Sequence, residues 1–195
     1  MANFEDNPRR KQEITKRPLA DKIYHQVWGN DIKITRFEKD DNHTLDQEYA
    51  VDIEIRFPNG MILTGQEKFL SYKFVDNKSV TVEYMNDPQT GESGDWYKLQ
   101  SSFYFCGYLT EEETNFEPWV IVDWARVVLA SNTNKIGWID NRNKDGHARA
   151  SFRFTYMDML PEDCILACSS SVIPYPDFES VLKKEIGYNV RIWNK

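Results

Sequence analysis

Two alternating stretches joined by one tight turn constrain this chain more than any other feature of it. In AVDIEIRF, the apolar residues Val51, Ile53, Ile55 and Phe57 alternate with Asp52, Glu54 and Arg56. Successive side chains of a strand point to opposite faces, so this pattern predicts a strand with one buried face. Pro58, Asn59 and Gly60 then supply turn chemistry, and MILTGQEKFLSYKF returns as a second run. The expectation is a β-hairpin. On its second strand Gln66 and Lys68 share a face, and Glu67 takes the opposite one. Paired strands run about 5 Å apart. A suitable register therefore brings Asp52, Gln66 and Lys68 onto one patch.

The surrounding segments read as α+β. Pro18 can open a helix, and Leu19, Ile23, Tyr24 and Val27 give it an apolar stripe that Gly29 ends. Residues 1–17, with Arg9, Arg10, Lys11, Lys16 and Arg17, read as a basic, flexible arm. DIKITRFE predicts a strand before the hairpin, and SVTVEYM a strand after it. WYKLQSSFYFCGY is rich in strand formers, but Asp95 is a good cap and Gly107 a good stop, so a middle helix over 95–107 is expected. WVIVDWARVVLA starts as a strand after Pro118, and ARASFRFTYM and CILAC predict further strands. DFESVLKKEI, capped by Asp177, closes the chain as a helix. Residues 18–195 are expected to form one domain, a mixed β-sheet flanked by helices in an α/β/α-type arrangement.

Composition narrows the function classes. Aromatics make up 14% of the chain, which argues against wholesale disorder. The net charge of −7 argues against a protein that simply coats phosphate, although a local basic groove on an acidic body is compatible with an enzyme. The cysteines, Cys106, Cys164 and Cys168, are odd in number and sparse, which fits buried thiols in a reducing compartment rather than a disulfide framework. The opening MANFEDNPRRKQE carries charge where a leader needs an apolar run, and no window is apolar enough to span a membrane. A cytoplasmic location without membrane contact is the expectation. HExxH, GxxxxGK[ST], GxGxxG and GxSxG are absent, so zincin, P-loop, dinucleotide and serine-hydrolase chemistry lack support.

The hairpin patch has a chemical logic. Phosphodiester hydrolysis is helped by a hard cation that neutralises phosphate charge and activates a water. The Asp52 carboxylate and the Gln66 amide oxygen are donors of the kind Mg²⁺ or Mn²⁺ takes, and the main-chain carbonyl of Glu67 is a third. A lysine such as Lys68 can position the water or stabilise developing charge.

Asp52 followed by Gln66-x-Lys68 resembles the PD-(D/E)XK nuclease superfamily, the restriction-endonuclease-like fold, in the Gln-x-Lys form of its Mrr-like branch. LDQEYAVDI is similar to the lead-in to the family aspartate. The resemblance is specific over residues 45–69 and looser over 18–130. Val51 stands where the family has proline, and Gln66 where it usually has an acid. The resemblance implies a metal-dependent endonuclease that hydrolyses DNA. Asp52 and Gln66 would hold Mg²⁺ or Mn²⁺, with Glu48 as a further candidate ligand, and Lys68 would position the attacking water. A homodimer is compatible with it, since such enzymes often dimerise to cut two strands, but no residue here reports one.

Lys73, Lys98, Arg142 and Lys144 are the candidate contacts to nucleic acid. The rival reading is a non-catalytic module on the same scaffold that binds nucleic acid or protein. A third reading, an aromatic-rich carbohydrate-binding β protein, requires Trp and Tyr exposed on a flat sheet face.

Overall fold

The structure is a computed structural model that describes residues 8–37, 48–87, 90–141 and 150–172. The hairpin forms as its alternation predicts. Strand β2 (Ile53–Arg56) pairs antiparallel with β3 (Ile62–Leu70), with Ile53 opposite Gly65 and Ile55 opposite Leu63. The turn closes through the Phe57 N–H donating to Met61 O at 2.9 Å. Asn59 Oδ1 accepts from the Met61 N–H at 3.0 Å, and Gly60 takes the left-handed φ of 85° that favours glycine. Strand β1 (Lys33–Arg36) lies antiparallel on the other side of β2.

Helix α1 (Pro8–Trp28) buries Ala20, Ile23, Tyr24 and Val27, the i, i+3, i+4, i+7 spacing of one helical face. It begins at Pro8 and carries Pro18 inside it, so it takes in residues 8–17 of the segment that the sequence reads as an arm. Its aromatic face packs on the sheet. The Tyr24 ring meets Phe103 and Phe105 edge-on at 5.8 and 5.6 Å between centroids, and Trp28 meets Phe103 at 5.0 Å.

The expected middle helix over 95–107 is not formed. Helix α2 spans only Asp95–Lys98, and Phe103–Leu109 is strand β6, which runs parallel to β3. All seven residues of β6 are buried. A strand covered on both faces loses the alternation that marks a half-exposed one, and so reads as a plain apolar run. Strands β7 (Phe116–Asp123) and β10 (Ile165–Cys168) complete a six-stranded sheet in the order β1-β2-β3-β6-β7-β10. Helix α3 (Trp124–Asn132) follows β7 directly, and Asp123 caps it by accepting from the Arg126 N–H at 3.1 Å.

SVTVEYM does form a strand, β4 (Ser79–Asp87), but outside the hairpin's sheet. With β5 (Glu92–Ser93), β8 (Ile139–Asn141) and β9 (Ser151–Tyr156) it makes a second, antiparallel sheet in the order β5-β4-β9-β8. The fold is α+β with a mixed sheet. One face of that sheet carries α1, and the other meets β4 and Trp124 of α3. The expected closing helix, DFESVLKKEI, lies outside the described residues.

Gly65 shows how tightly a cross-strand neighbour packs, since Phe103 lies opposite it on β6. A Cβ added there would come within 2.2 Å of the Phe103 ring, which is itself fully buried. Gly65→Ala is therefore expected to destabilise the fold by about 1–3 kcal/mol, because the ring has nowhere to move in a packed core. Thermal denaturation measures this, and an unchanged midpoint would mean that the ring shifts freely.

Candidate functional site

The site is built where the β2–β3 ladder ends. Before β2, the helical residues Glu48 and Tyr49 lead into Ala50, whose φ of 49° lies in the left-handed region that a residue with a Cβ enters at a cost. The Ser101 hydroxyl donates to Ala50 O at 3.1 Å, and the Gln100 N–H donates to Tyr49 O at 3.1 Å. This bend delivers Asp52. Its N–H donates to Gly65 O at 2.9 Å, and its side-chain Oδ2 accepts from the Glu67 N–H at 2.9 Å. The carboxylate thus continues the ladder where the backbone of β2 leaves it, at the point of β3 between Gln66 and Lys68.

Alternation sends the neighbours of Glu67 one way and Glu67 the other. Gln66 and Lys68 lie opposite Tyr104 and Cys106 in the β3–β6 register. Lys68 Nζ donates to Glu83 Oε1 on β4 at 3.1 Å. Burial raises the pKa of the Tyr104 phenol well above its ordinary value, and Cys106, Asp95, Glu83 and Asp52 push it the same way. The carboxylates of Asp95 on α2, Glu83 on β4 and Asp52 before β2 therefore all act on one hydroxyl at this patch. Glu83 is the residue that sequence reasoning missed. It is the acid of an alternating strand, but nothing local says that this strand crosses to Lys68.

Glu67 points to the opposite face, as the alternation predicts, and is buried there. Arg36 clamps it through Nε at 2.8 Å and Nη2 at 2.9 Å, the Tyr24 hydroxyl donates to it at 2.9 Å, and Arg36 Nη2 also reaches Asp21 at 2.7 Å. Burial works against the Arg36 charge, but the bonds and charges of Glu67 and then Asp21 outweigh it and raise the guanidinium pKa. Burial, with Glu67 next, raises the pKa of the Tyr24 phenol well above its usual value. This network locks the middle of β3 to β1 and α1, and so fixes the backbone from which Gln66 and Lys68 project.

The donor set fits a hard cation. Gln66 Oε1 is buried and has no hydrogen-bond partner among the described residues, and a buried acceptor of that kind calls for a donor or an ion. In an extended strand the N–H and C=O of one residue point to the same side. The Glu67 carbonyl therefore projects to the edge where its N–H meets Asp52. One carboxylate, one amide oxygen and one carbonyl suit Mg²⁺, which keeps several waters and needs only one or two carboxylates. Among the described residues no three His, Cys, Asp or Glu side chains stand close enough to hold an ion by themselves.

The other candidates are scattered. Glu48 is exposed on the approach to Ala50. Lys73 is exposed in a 3₁₀ turn over Tyr72–Asn77, with its ammonium 4.7 Å from the Phe74 ring centroid. Lys98 ends α2 and is half-buried. Arg142 and Lys144 lie outside the described residues. Among the described residues, Trp28, Trp96, Trp119, Trp124 and Trp138 are buried or half-buried, whereas Tyr72, Tyr97 and Tyr156 are exposed. No described helix is long and apolar enough to cross a membrane.

All three cysteines are buried free thiols. Burial, as the first cause, pushes the pKa of each up to about 12. Cys106, Cys164 and Cys168 are therefore expected to react with an aromatic disulfide reagent only on unfolding. Rapid labelling of the native protein would contradict their burial.

No protein-family model, curated protein or solved structure matches this chain.

Proposed function

We propose that the chain is a metal-dependent endonuclease of the restriction-endonuclease-like fold that hydrolyses phosphodiester bonds in DNA. The observation that carries this reading is the position of the Asp52 carboxylate on the Glu67 N–H, between the buried, unpartnered Gln66 amide oxygen and Lys68. Asp52, Gln66 and the Glu67 carbonyl would hold Mg²⁺ or Mn²⁺. The ion, when bound, supplies charge neutralisation at the phosphate and a more acidic water. The Lys68 ammonium lies beside this donor set and holds the attacking water or the developing negative charge. Glu67 stays on the far face as an anchor and touches no substrate.

The experiment is cleavage of supercoiled plasmid and of single-stranded DNA with Mg²⁺ or Mn²⁺, against the same reactions with chelator. Cutting that needs the metal supports the reading. Absence of cutting on either substrate in both metals would overturn it. That result would favour the second reading, a non-catalytic binding module.

A further inference from the structure

Strand β5 pairs with β4 only at Met85 and Asp87, so no described strand covers the same edge of β4 from Ser79 to Glu83. A bare edge leaves main-chain groups to satisfy. Side chains of the six-stranded sheet meet those of Ser79 and Thr81. The Tyr108 hydroxyl accepts from the Ser79 N–H and donates to Ser79 O, both at 2.9 Å. The Cys106 thiol donates to Ser79 O at 3.5 Å, and the Tyr104 hydroxyl donates to Thr81 O at 2.6 Å. These contacts recur every second residue, and the next position in the series is Glu83. Its backbone is confined as well, since a Cβ on Gly94 would come within 2.5 Å of Glu83 O. The strand is thus docked by two tyrosines and a thiol before the Glu83 side chain is considered.

What remains for that side chain is Lys68, 3.1 Å away. Both side chains of the pair are 33% exposed. An ion pair so open to water adds little to stability, about 0–1 kcal/mol. It does restrict a long, flexible side chain to one place beside Asp52 and Gln66, and placement is what a reaction at that patch needs. We infer that Glu83 is a positioning residue, supplied by the second sheet, that holds the Lys68 ammonium at the site and acts on the reaction through it. The inference rests on the nuclease reading.

The test is single-turnover cleavage of plasmid by wild type, Asp52→Ala, Glu83→Gln and Glu83→Asp, with a Mg²⁺ titration and a melting curve for each. Glu83→Gln is expected to melt close to wild type, to reach half activity at the same Mg²⁺ concentration, and to cut about 10- to 100-fold more slowly at saturating metal. Glu83→Asp should recover part of that loss. A Glu83→Gln rate equal to wild type would reduce the ion pair to a docking contact and overturn the inference. So would a slow rate that extra Mg²⁺ restores, because Glu83 would then be a ligand. If Glu83→Gln does not fold, Glu83→Asp decides: slower cutting at an unchanged melting point supports positioning, and wild-type cutting overturns it. Metal-dependent cutting by wild type that Asp52→Ala loses sustains the nuclease reading whichever way Glu83 falls. An inert wild type sinks both.

Discussion

Asp52→Ala is expected to lower metal-dependent cleavage by roughly 100- to 1,000-fold, and Lys68→Ala by roughly 100-fold, on the scale that loss of one preorganised charge partner costs. The two changes act differently. Asp52 both supplies the only carboxylate of the proposed donor set and accepts the Glu67 N–H at 2.9 Å. Asp52→Ala therefore also leaves a main-chain donor without that acceptor, at a stability cost of about 1–3 kcal/mol. Asp52→Asn separates the roles, since an amide oxygen can still accept from Glu67 while the charge is gone. Asp52→Asn should melt near wild type, cut poorly and need more metal. Lys68→Ala should leave the metal requirement unchanged and slow only the cutting step. Plasmid cleavage across a metal titration reads both effects, and wild-type rates in Asp52→Asn would remove Asp52 from the chemistry.

Arg36→Ala is expected to give the largest loss of stability among single changes in the Glu67 network. The Arg36 side chain is 11% exposed, and that of Glu67 5%. Removing the guanidinium leaves a carboxylate buried against the Tyr24 hydroxyl and the Asp21 side with no positive charge on it. Breaking a buried pair from one side costs about 3–5 kcal/mol. For a chain of this size that lowers the melting point by roughly 6–20 °C. Arg36→Lys should not rescue it, because one ammonium cannot bridge both Glu67 oxygens and Asp21 as the planar guanidinium does. Adding Glu67→Gln to Arg36→Ala should recover part of the loss by removing the stranded charge. A melting point unmoved by Arg36→Ala would mean that water reaches Glu67 and the pair is dispensable. Because Glu67 sits between Gln66 and Lys68, the same substitution is expected to slow cleavage through the backbone of β3.

The hairpin, its turn and the faces of Gln66, Glu67 and Lys68 were legible in the sequence because each is a local property. Alternation reports which side chains are buried, and Pro58-Asn59-Gly60 reports the reversal. The apolar stripe of α1 was legible for the same reason, although its start was not. Pro18 resembles a first-turn residue, whereas the helix runs through it from Pro8. FYFCGYL was misread because its local signals conflict. Asp95 caps a short helix, α2, and the β-forming residues after it belong to a strand with both faces covered. A continuous apolar run does not say whether it will be a buried strand or a buried helix.

By itself, then, the sequence determined which residues share a strand face, and so which side chains can stand with Asp52 at one patch. Only the tertiary structure decided which strands lie beside that patch. It moved SVTVEYM out of the hairpin's sheet and turned Glu83 towards Lys68. It also closed Arg36, Asp21 and Tyr24 around Glu67 on the far face. The physical reason is range. Alternation and turn chemistry act over a few residues, whereas these contacts join positions 15 to 43 residues apart. They form only where burial by distant segments outweighs the entropy of closing the chain between them.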